Sequence, residues 1–195
     1  LLLTIPVTMN KVLLSVLLGG MLALAPAAQA QSEPVAPIEY SERVPSEGSG
    51  RTLLYRRAYD WMENHFAYGP KSVIKADPAA GSLRVTGTSK IKPVDTKGKE
   101  QEVAVRFDFT FRATDNGYEY SVNTFQAIPD SKQPSQALAL DEYITRFKND
   151  KADERTHNAR RLTAQASSVA SEIAMSFRSY MNSQPAEGTV GVSER

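Results

Sequence analysis

Apolar and polar side chains alternate almost without error from Val103 to Arg112. In an extended chain Val103, Val105, Phe107, Phe109 and Phe111 fall on one side, and Ala104, Arg106, Asp108, Thr110 and Arg112 on the other. A period of two marks a strand with one buried face. Asp115-Asn116-Gly117 follows, residues that tolerate the positive φ of a tight hairpin. Paired strands are therefore predicted over Glu102–Ala113 and Tyr118–Ile128. Upstream, Leu83, Val85 and Ile91 mark one face of another strand, with Arg84, Thr86, Thr88 and Lys90 on its other face. Shorter strands are predicted over Ile38–Val44 and Ser72–Ala76.

Elsewhere the period changes to that of a helix. Leu54, Ala58, Trp61 and Phe66, supplemented by Leu53 and Met62, predict a helix over Arg51–Phe66, with Ser49 as its N-cap and Gly69-Pro70 as its stop. Beyond Pro129 a turn-rich stretch, Ser131–Ser135, leads to a second predicted helix over Gln136–Asn149. A charged break from Lys148 to Arg155 precedes the best amphipathic pattern of the chain. Leu162, Ala166, Val169, Ile173, Phe177 and Tyr180 recur every three or four residues between Thr156 and Met181. A helix, a run of adjacent antiparallel strands and then further helices imply an α+β fold, with one sheet face covered. The expected domain spans residues 38–182, between a Pro/Ala-rich leader at 31–37 and a flexible tail at 183–195.

Three short segments carry a resemblance. They are Tyr59-Asp60-Trp61-Met62-Glu63-Asn64-His65-Phe66, Lys71-Ser72-Val73-Ile74-Lys75-Ala76-Asp77 and Gly81-Ser82-Leu83-Arg84-Val85-Thr86-Gly87. Their order and spacing resemble DUF4468, a family of exported bacterial proteins with a TATA-binding-protein-like (TBP-like) fold, over about Ile38 to Ile128. Thr88-Ser89 stand where the family pattern has a further glycine. The resemblance implies a curved antiparallel sheet in the order β-α-β-β-β-β-α with helices on one face. The Gln136–Asn149 helix would be an extra one before the closing helix. The resemblance implies no reaction, cofactor or catalytic residue.

The beginning of the chain changes the expected compartment. Met9-Asn10-Lys11 reads as a start, Val12–Leu24 as an apolar core and Ala28-Gln29-Ala30 as a signal-peptidase site, with residues 1–8 lying upstream. Cleavage is expected after Ala30. The apolar run falls short of the roughly 20 residues that span a bilayer, so no transmembrane segment is expected in the mature protein. Cysteine is absent, which excludes disulfides, thiol catalysis and lipid attachment through a thiol. A periplasmic or secreted protein of a Gram-negative bacterium fits these features.

Charge bears on the partner. The chain has 23 basic and 22 acidic side chains, and Lys11 is the only charge in residues 1–30, so the mature balance is 22 against 22. A nucleic-acid binder gathers an excess of positive charge, and a TBP-type DNA surface also needs apolar wedges. The polar strand face here offers Arg84, Thr86, Thr88, Lys90, Arg106, Asp108, Thr110, Arg112, Glu119, Ser121 and Asn123, with Phe125 its one large aromatic. Nucleic acid is therefore not expected.

Candidate chemistry is sparse. Trp61 reads as a core anchor rather than a stacking platform. His65 and His157 are about ninety positions apart and lack a matching acidic motif, a poor basis for a metal site. The carboxylate pairs Asp60/Glu63 and Asp141/Glu142 read as solvated helix charges, and no Gly-x-Ser-x-Gly elbow is present. No catalytic, cofactor or metal residue is assigned. The expectation is a noncatalytic envelope module whose strand face, Arg84, Thr86, Lys90, Arg106, Asp108, Thr110 and Arg112, binds a protein, peptide or glycan. The alternative is an enzyme or small-molecule binder with a cleft between the sheet and the Gln136–Asn149 helix.

Overall fold

The computed structural model describes residues 37–46, 48–71 and 74–183. Expectations for the signal segment, the leader up to residue 36, Ser72, Val73 and the tail beyond Ser183 lie outside the described residues. No helix among the described residues is long and apolar enough to cross a membrane.

Strand β1 (Tyr40–Pro45) leads into helix α1 (Arg51–Asn64), and β2 (Ile74–Asp77), β3 (Ser82–Ile91), β4 (Val103–Thr114) and β5 (Gly117–Ile128) follow. They form an antiparallel sheet in the order β1-β5-β4-β3-β2. A two-residue strand, β6 (Leu138–Ala139), pairs with Gln126 and Ala127 of β5 and makes the sheet six-stranded. Helices α2 (Leu140–Lys148), α3 (Asp153–Thr156) and α4 (Asn158–Ser183) follow. The expected α+β, TBP-like arrangement is the observed one.

The core lies between one sheet face and the helices. The β4 residues Val103, Val105, Phe107, Phe109 and Phe111 are all buried there, with Leu54, Ala58, Trp61 and Met62 of α1 and Leu162, Ala166, Ile173 and Phe177 of α4. Phe177 sits at the centre of five rings: Tyr120 at 4.8 Å, Trp61 and Phe109 at 5.0 Å, Phe111 at 5.8 Å and Tyr118 at 5.9 Å between centroids. Trp61 is thus the core anchor its position suggested. Gly87 faces the same core: a Cβ there would come within 2.7 Å of the Phe66 ring and 2.8 Å of the Phe107 ring. The glycine leaves the room those rings occupy.

Several boundaries differ from the sequence expectation. Ser49 is not the cap of α1. The carbonyl of Gly50 accepts the N–H groups of Leu53 and Leu54 at 3.0 and 3.1 Å, and no side chain caps that end. The other end stops at Asn64, where the Lys71 ammonium donates to the carbonyls of Met62 at 2.5 Å and Glu63 at 2.9 Å. A cation on the last carbonyls satisfies groups that the helix itself cannot. The extra helix is shorter than Gln136–Asn149 because Leu138 and Ala139 are drawn into the sheet. The last helix begins at Asn158 rather than Thr156 because His157 adopts a left-handed conformation, φ 50°, and separates α3 from α4. The buried Asn158 amide accepts from Val94 N–H and donates to Val94 C=O, both at 2.8 Å, which ties the β3–β4 connection to the start of α4.

The β4–β5 hairpin turns at Asp115-Asn116, but only Gly117 uses positive φ, at 147°. The reason lies on the neighbouring strand: a Cβ on Gly117 would stand 2.0 Å from the carbonyl oxygen of Val44.

Candidate functional site

The sheet face opposite the helices is built by register. Ser41 and Arg43 of β1 lie beside Ser121 and Glu119 of β5, which lie beside Thr110 and Arg112 of β4. Those in turn neighbour Arg84 and Ser82 of β3, next to Lys75 and Asp77 of β2. Because successive residues alternate faces, these polar side chains share one open surface, while on β3, β4 and β5 their neighbours in sequence fill the core.

Cross-strand bonds tie most of these side chains together. Thr110 and Ser121 share a hydroxyl–hydroxyl bond of 2.8 Å. Arg112 Nε donates to Glu119 Oε1 at 2.5 Å, and Arg43 Nη2 to the other oxygen at 3.1 Å. The paired guanidiniums, Arg112 first and Arg43 second, hold the Glu119 carboxyl below the usual carboxylate range. Asp108 accepts from Arg84 through one oxygen and from the Thr86 hydroxyl, at 2.6 Å, through the other. Arg106 donates twice to the Gln126 carbonyl, at 2.6 and 3.2 Å. The sequence-predicted residues Arg84, Thr86 and Asp108 therefore form one cluster, while Arg106, Thr110 and Arg112 each reach across to β5. Lys90 is set apart near the end of the sheet, where it pairs with Glu102 at 2.7 Å and lowers that carboxyl.

Two features depart from the expected face. Thr86 and Asp108 are buried although they take outward register positions, and Asp108 is bonded there to both Thr86 and Arg84. More consequentially, Phe125 does not belong to this surface. The register between β4 and β5 slips between Arg106/Asp108, where Thr124 and Phe125 together oppose Phe107. The extra residue is Thr124, with φ 56°. Such a bulge sends every later side chain to the opposite face. Phe125 is thereby buried and stacks on Phe107, 5.4 Å between centroids, and Gln126 turns outward to meet Arg106. The signal was present in the sequence: Tyr118, Tyr120 and Val122 occupy even positions, but Phe125 and Ala127 occupy odd ones. Arg43 was missed for another reason, since nothing local announces that β1 joins the sheet beside β5.

The open face carries two shallow depressions. One, of about 490 Å³, is lined chiefly by Ser41, Arg43, Thr110, Arg112, Glu119 and Ser121. The other, of about 280 Å³, takes in Lys75, Ser82, Arg84 and, again, Thr110. The remaining candidates lie elsewhere. His65 is exposed and rests against the Tyr180 ring, 4.6 Å between centroids, and His157 is exposed at the α3–α4 break. Asp60 accepts from the Tyr180 hydroxyl and, at 2.9 Å, from Asn64, and both bonds lower its carboxyl while the Tyr180 phenol is raised to about 12. Among the described residues no group of three His, Cys, Asp or Glu side chains could hold a metal ion. Leu140 and Ile144 of α2 are buried in the core, the region where the alternative cleft was expected.

Comparison with known families accounts for this architecture. Residues 40–127, which run from β1 through nearly all of β5, match the model described as a domain of unknown function (DUF4468) with TBP-like fold. Over these residues the chain is similar to DUF4468. A crystal structure of a DUF4468 family protein from Bacteroides ovatus ATCC 8483 superposes with a TM-score of 0.55 at 16% identity, covering 77% of this chain and 89% of that one. A TBP-like protein from Parabacteroides distasonis ATCC 8503 gives 0.55 at 12% identity, covering 76% and 95%. At these identities the likeness is one of fold. A comparison with curated proteins finds no match. Within the matching segment lie every strand of the open face and both residues that shape it from behind, Gly87 and Gly117; β6 and α2–α4 follow it.

Proposed function

We propose that this chain is a noncatalytic, exported module of the cell envelope that binds a protein, peptide or glycan partner through the open sheet face. The observation that supports this most is the cross-strand network itself. Arg43, Arg84, Arg106, Thr110, Arg112 and Ser121 are each held by a bonded partner on another strand before any ligand arrives. Side chains fixed in advance lose less entropy on binding, which is how a flat polar surface gains affinity. The same network speaks against acid–base catalysis at this face. Glu119 is held ionised by two guanidiniums, whereas a general acid or base needs a pKa near the working pH. The signal-like pattern of residues 9–30 supports export.

The test is capture from envelope extracts by the tagged mature protein and by an Arg106→Gln/Thr110→Val/Arg112→Gln variant. The variant should lose the partner while its thermal midpoint stays within a few degrees of the parent. Equal capture by both proteins removes the face from consideration.

A further inference from the structure

We infer that the partner surface recognised by this face is an acidic, extended peptide segment laid across the strands. The inference rests on the open face being the binding surface and adds the chemistry of what it binds.

Three observations carry it. First, the charges on the face are unequally presented. The side chains of Arg43, Arg112 and Arg84 are 78%, 60% and 47% exposed, whereas their carboxylate partners Glu119 and Asp108 are 28% and 6% exposed. Each guanidinium has five N–H donors in a planar fork. The internal pairs leave several of these directed at solvent, while both oxygens of Glu119 and of Asp108 already accept a bond. Arg106 is bonded to the neutral amide of Gln126, so its charge has no carboxylate partner in that pair. The face is rich in donors and poor in free acceptors. It complements carboxylates, which take guanidinium forks in bidentate fashion.

Second, the two depressions meet. Both are lined by Thr110 and Phe111, so they adjoin, and in succession they make a trough-like track across the strands from Ser41 and Arg43 on β1 to Arg84 and Lys75 on β3 and β2. The hydroxyls of Thr110 and Ser121 lie in its floor, and the basic groups stand along it. Five strands at a spacing of about 4.8 Å span roughly 19 Å, the length of about six extended residues. The carboxylates of Glu39 and Asp77 border the trough at its two ends, which places the preferred acidic positions of a ligand near the middle.

Third, the bulge at Thr124 removes the one aromatic ring that could have served the open face. Among the described residues, no aromatic side chain occupies an outward register position on β1 to β5. Sugar rings bind well when their apolar C–H faces stack on an aromatic face, which is electron-rich. A surface of guanidiniums and hydroxyls without a ring suits a peptide that brings carboxylates and backbone amides.

The experiment is a fluorescence anisotropy titration of the mature protein with labelled hexaglutamate. Hexaglutamine, hexagalacturonate and an oligothymidylate of similar length serve as comparison probes. Saturable binding of hexaglutamate is expected, weakened about tenfold or more as salt rises from low to well above physiological ionic strength. An Arg84→Gln/Arg112→Gln variant should bind at least about tenfold more weakly, since it loses two charge-assisted forks. Arg84→Lys/Arg112→Lys keeps the charge and should fall between, and Lys132→Gln, outside the trough, should bind like the parent. Equal binding of hexaglutamine, no binding of hexaglutamate, or tighter binding of hexagalacturonate or the oligothymidylate each overturns the assignment. Face-dependent capture without hexaglutamate binding sinks the acidic-peptide class alone. Capture indifferent to the face sinks the binding-face reading beneath it.

Discussion

The two faces of one sheet use the same backbone in opposite ways. On the inner face, Phe109, Phe111 and Tyr120 interlock as rings with Phe177 of α4, and a change of one side chain is felt by several neighbours. On the open face, Thr110–Ser121, Arg112–Glu119 and Arg106–Gln126 are hydrogen-bonded bridges across the same two strands, with Arg43 also bonded to Glu119 and Asn123 to Ser121. Burial of apolar area stabilises a fold in proportion to the area removed from water, whereas exposed polar pairs contribute little net energy because water competes for the same groups. The inner face therefore sets stability, and the open face is comparatively free to serve recognition.

The sharpest way to break this contrast is to empty the centre of the core. Phe177→Ala is expected to cost about 3–5 kcal/mol, the range for removing a large buried aromatic. Chemical denaturation should show this as a lowered midpoint with little change in slope. A loss below about 1 kcal/mol would mean that the ring cluster does not hold α4 to the sheet.

A middle-sized effect separates the faces by acid. Glu42 points inward from the edge strand β1 and is bonded to the Tyr120 hydroxyl at 2.5 Å and to Arg178. The Tyr120 bond, followed by Arg178, lowers its carboxyl, and the Tyr120 phenol is raised by burial and by Glu42. A carboxyl lowered on folding binds fewer protons in the native than in the unfolded chain. Its stabilisation is present above the unfolded pKa, about 4.3 for glutamate, and is lost as pH falls through the lower folded value. Glu42→Gln should therefore flatten the acid limb of the stability–pH curve measured by urea titration. Glu119→Gln on the open face should flatten it less, because its partners Arg43 and Arg112 are 78% and 60% exposed, against 35% for Arg178. A larger effect for Glu119 would reverse the contrast.

The smallest effect is expected from the floor of the trough. Thr110→Val/Ser121→Ala removes a part-exposed hydroxyl pair together, and the Asn123 amide that donates to Ser121 is only half-buried, so stability should change by less than about 1 kcal/mol. Thermal melts and the hexaglutamate titration on the same samples measure both sides of the comparison.

How much of this was legible follows from the range of each interaction. The alternation of β4 and the helical spacing around Trp61 are local patterns, and both placed residues on the faces where they are found. The open-face residues Arg84, Thr86, Arg106, Asp108, Thr110 and Arg112 could be read from the same alternation. Their grouping could not, because Arg43 joins Glu119 only when β1 folds beside a strand that follows it by more than seventy residues. Likewise, the capture of Leu138 and Ala139 by β5 depends on an edge position left open beyond the end of β1. Phe125 was misplaced through an unbroken count of two, although the phase of the apolar residues had already changed. His157 left no pattern, since a left-handed residue between two helical segments leaves the composition around it helical.

The residue at Thr124 acts on β5 as a frameshift acts on a message. Before it, even positions are read toward the core; after it, odd positions are, and the backbone continues along one edge throughout. The slip lets β5 serve β1 with its first half and β6 with its second, each in the phase that keeps its own hydrophobic side chains inside. It also divides what the chain can tolerate. A change of length by one residue near this point would exchange the faces of every later side chain on β5, whereas a change by two would keep them, and the residue that sets this phase is an exposed threonine.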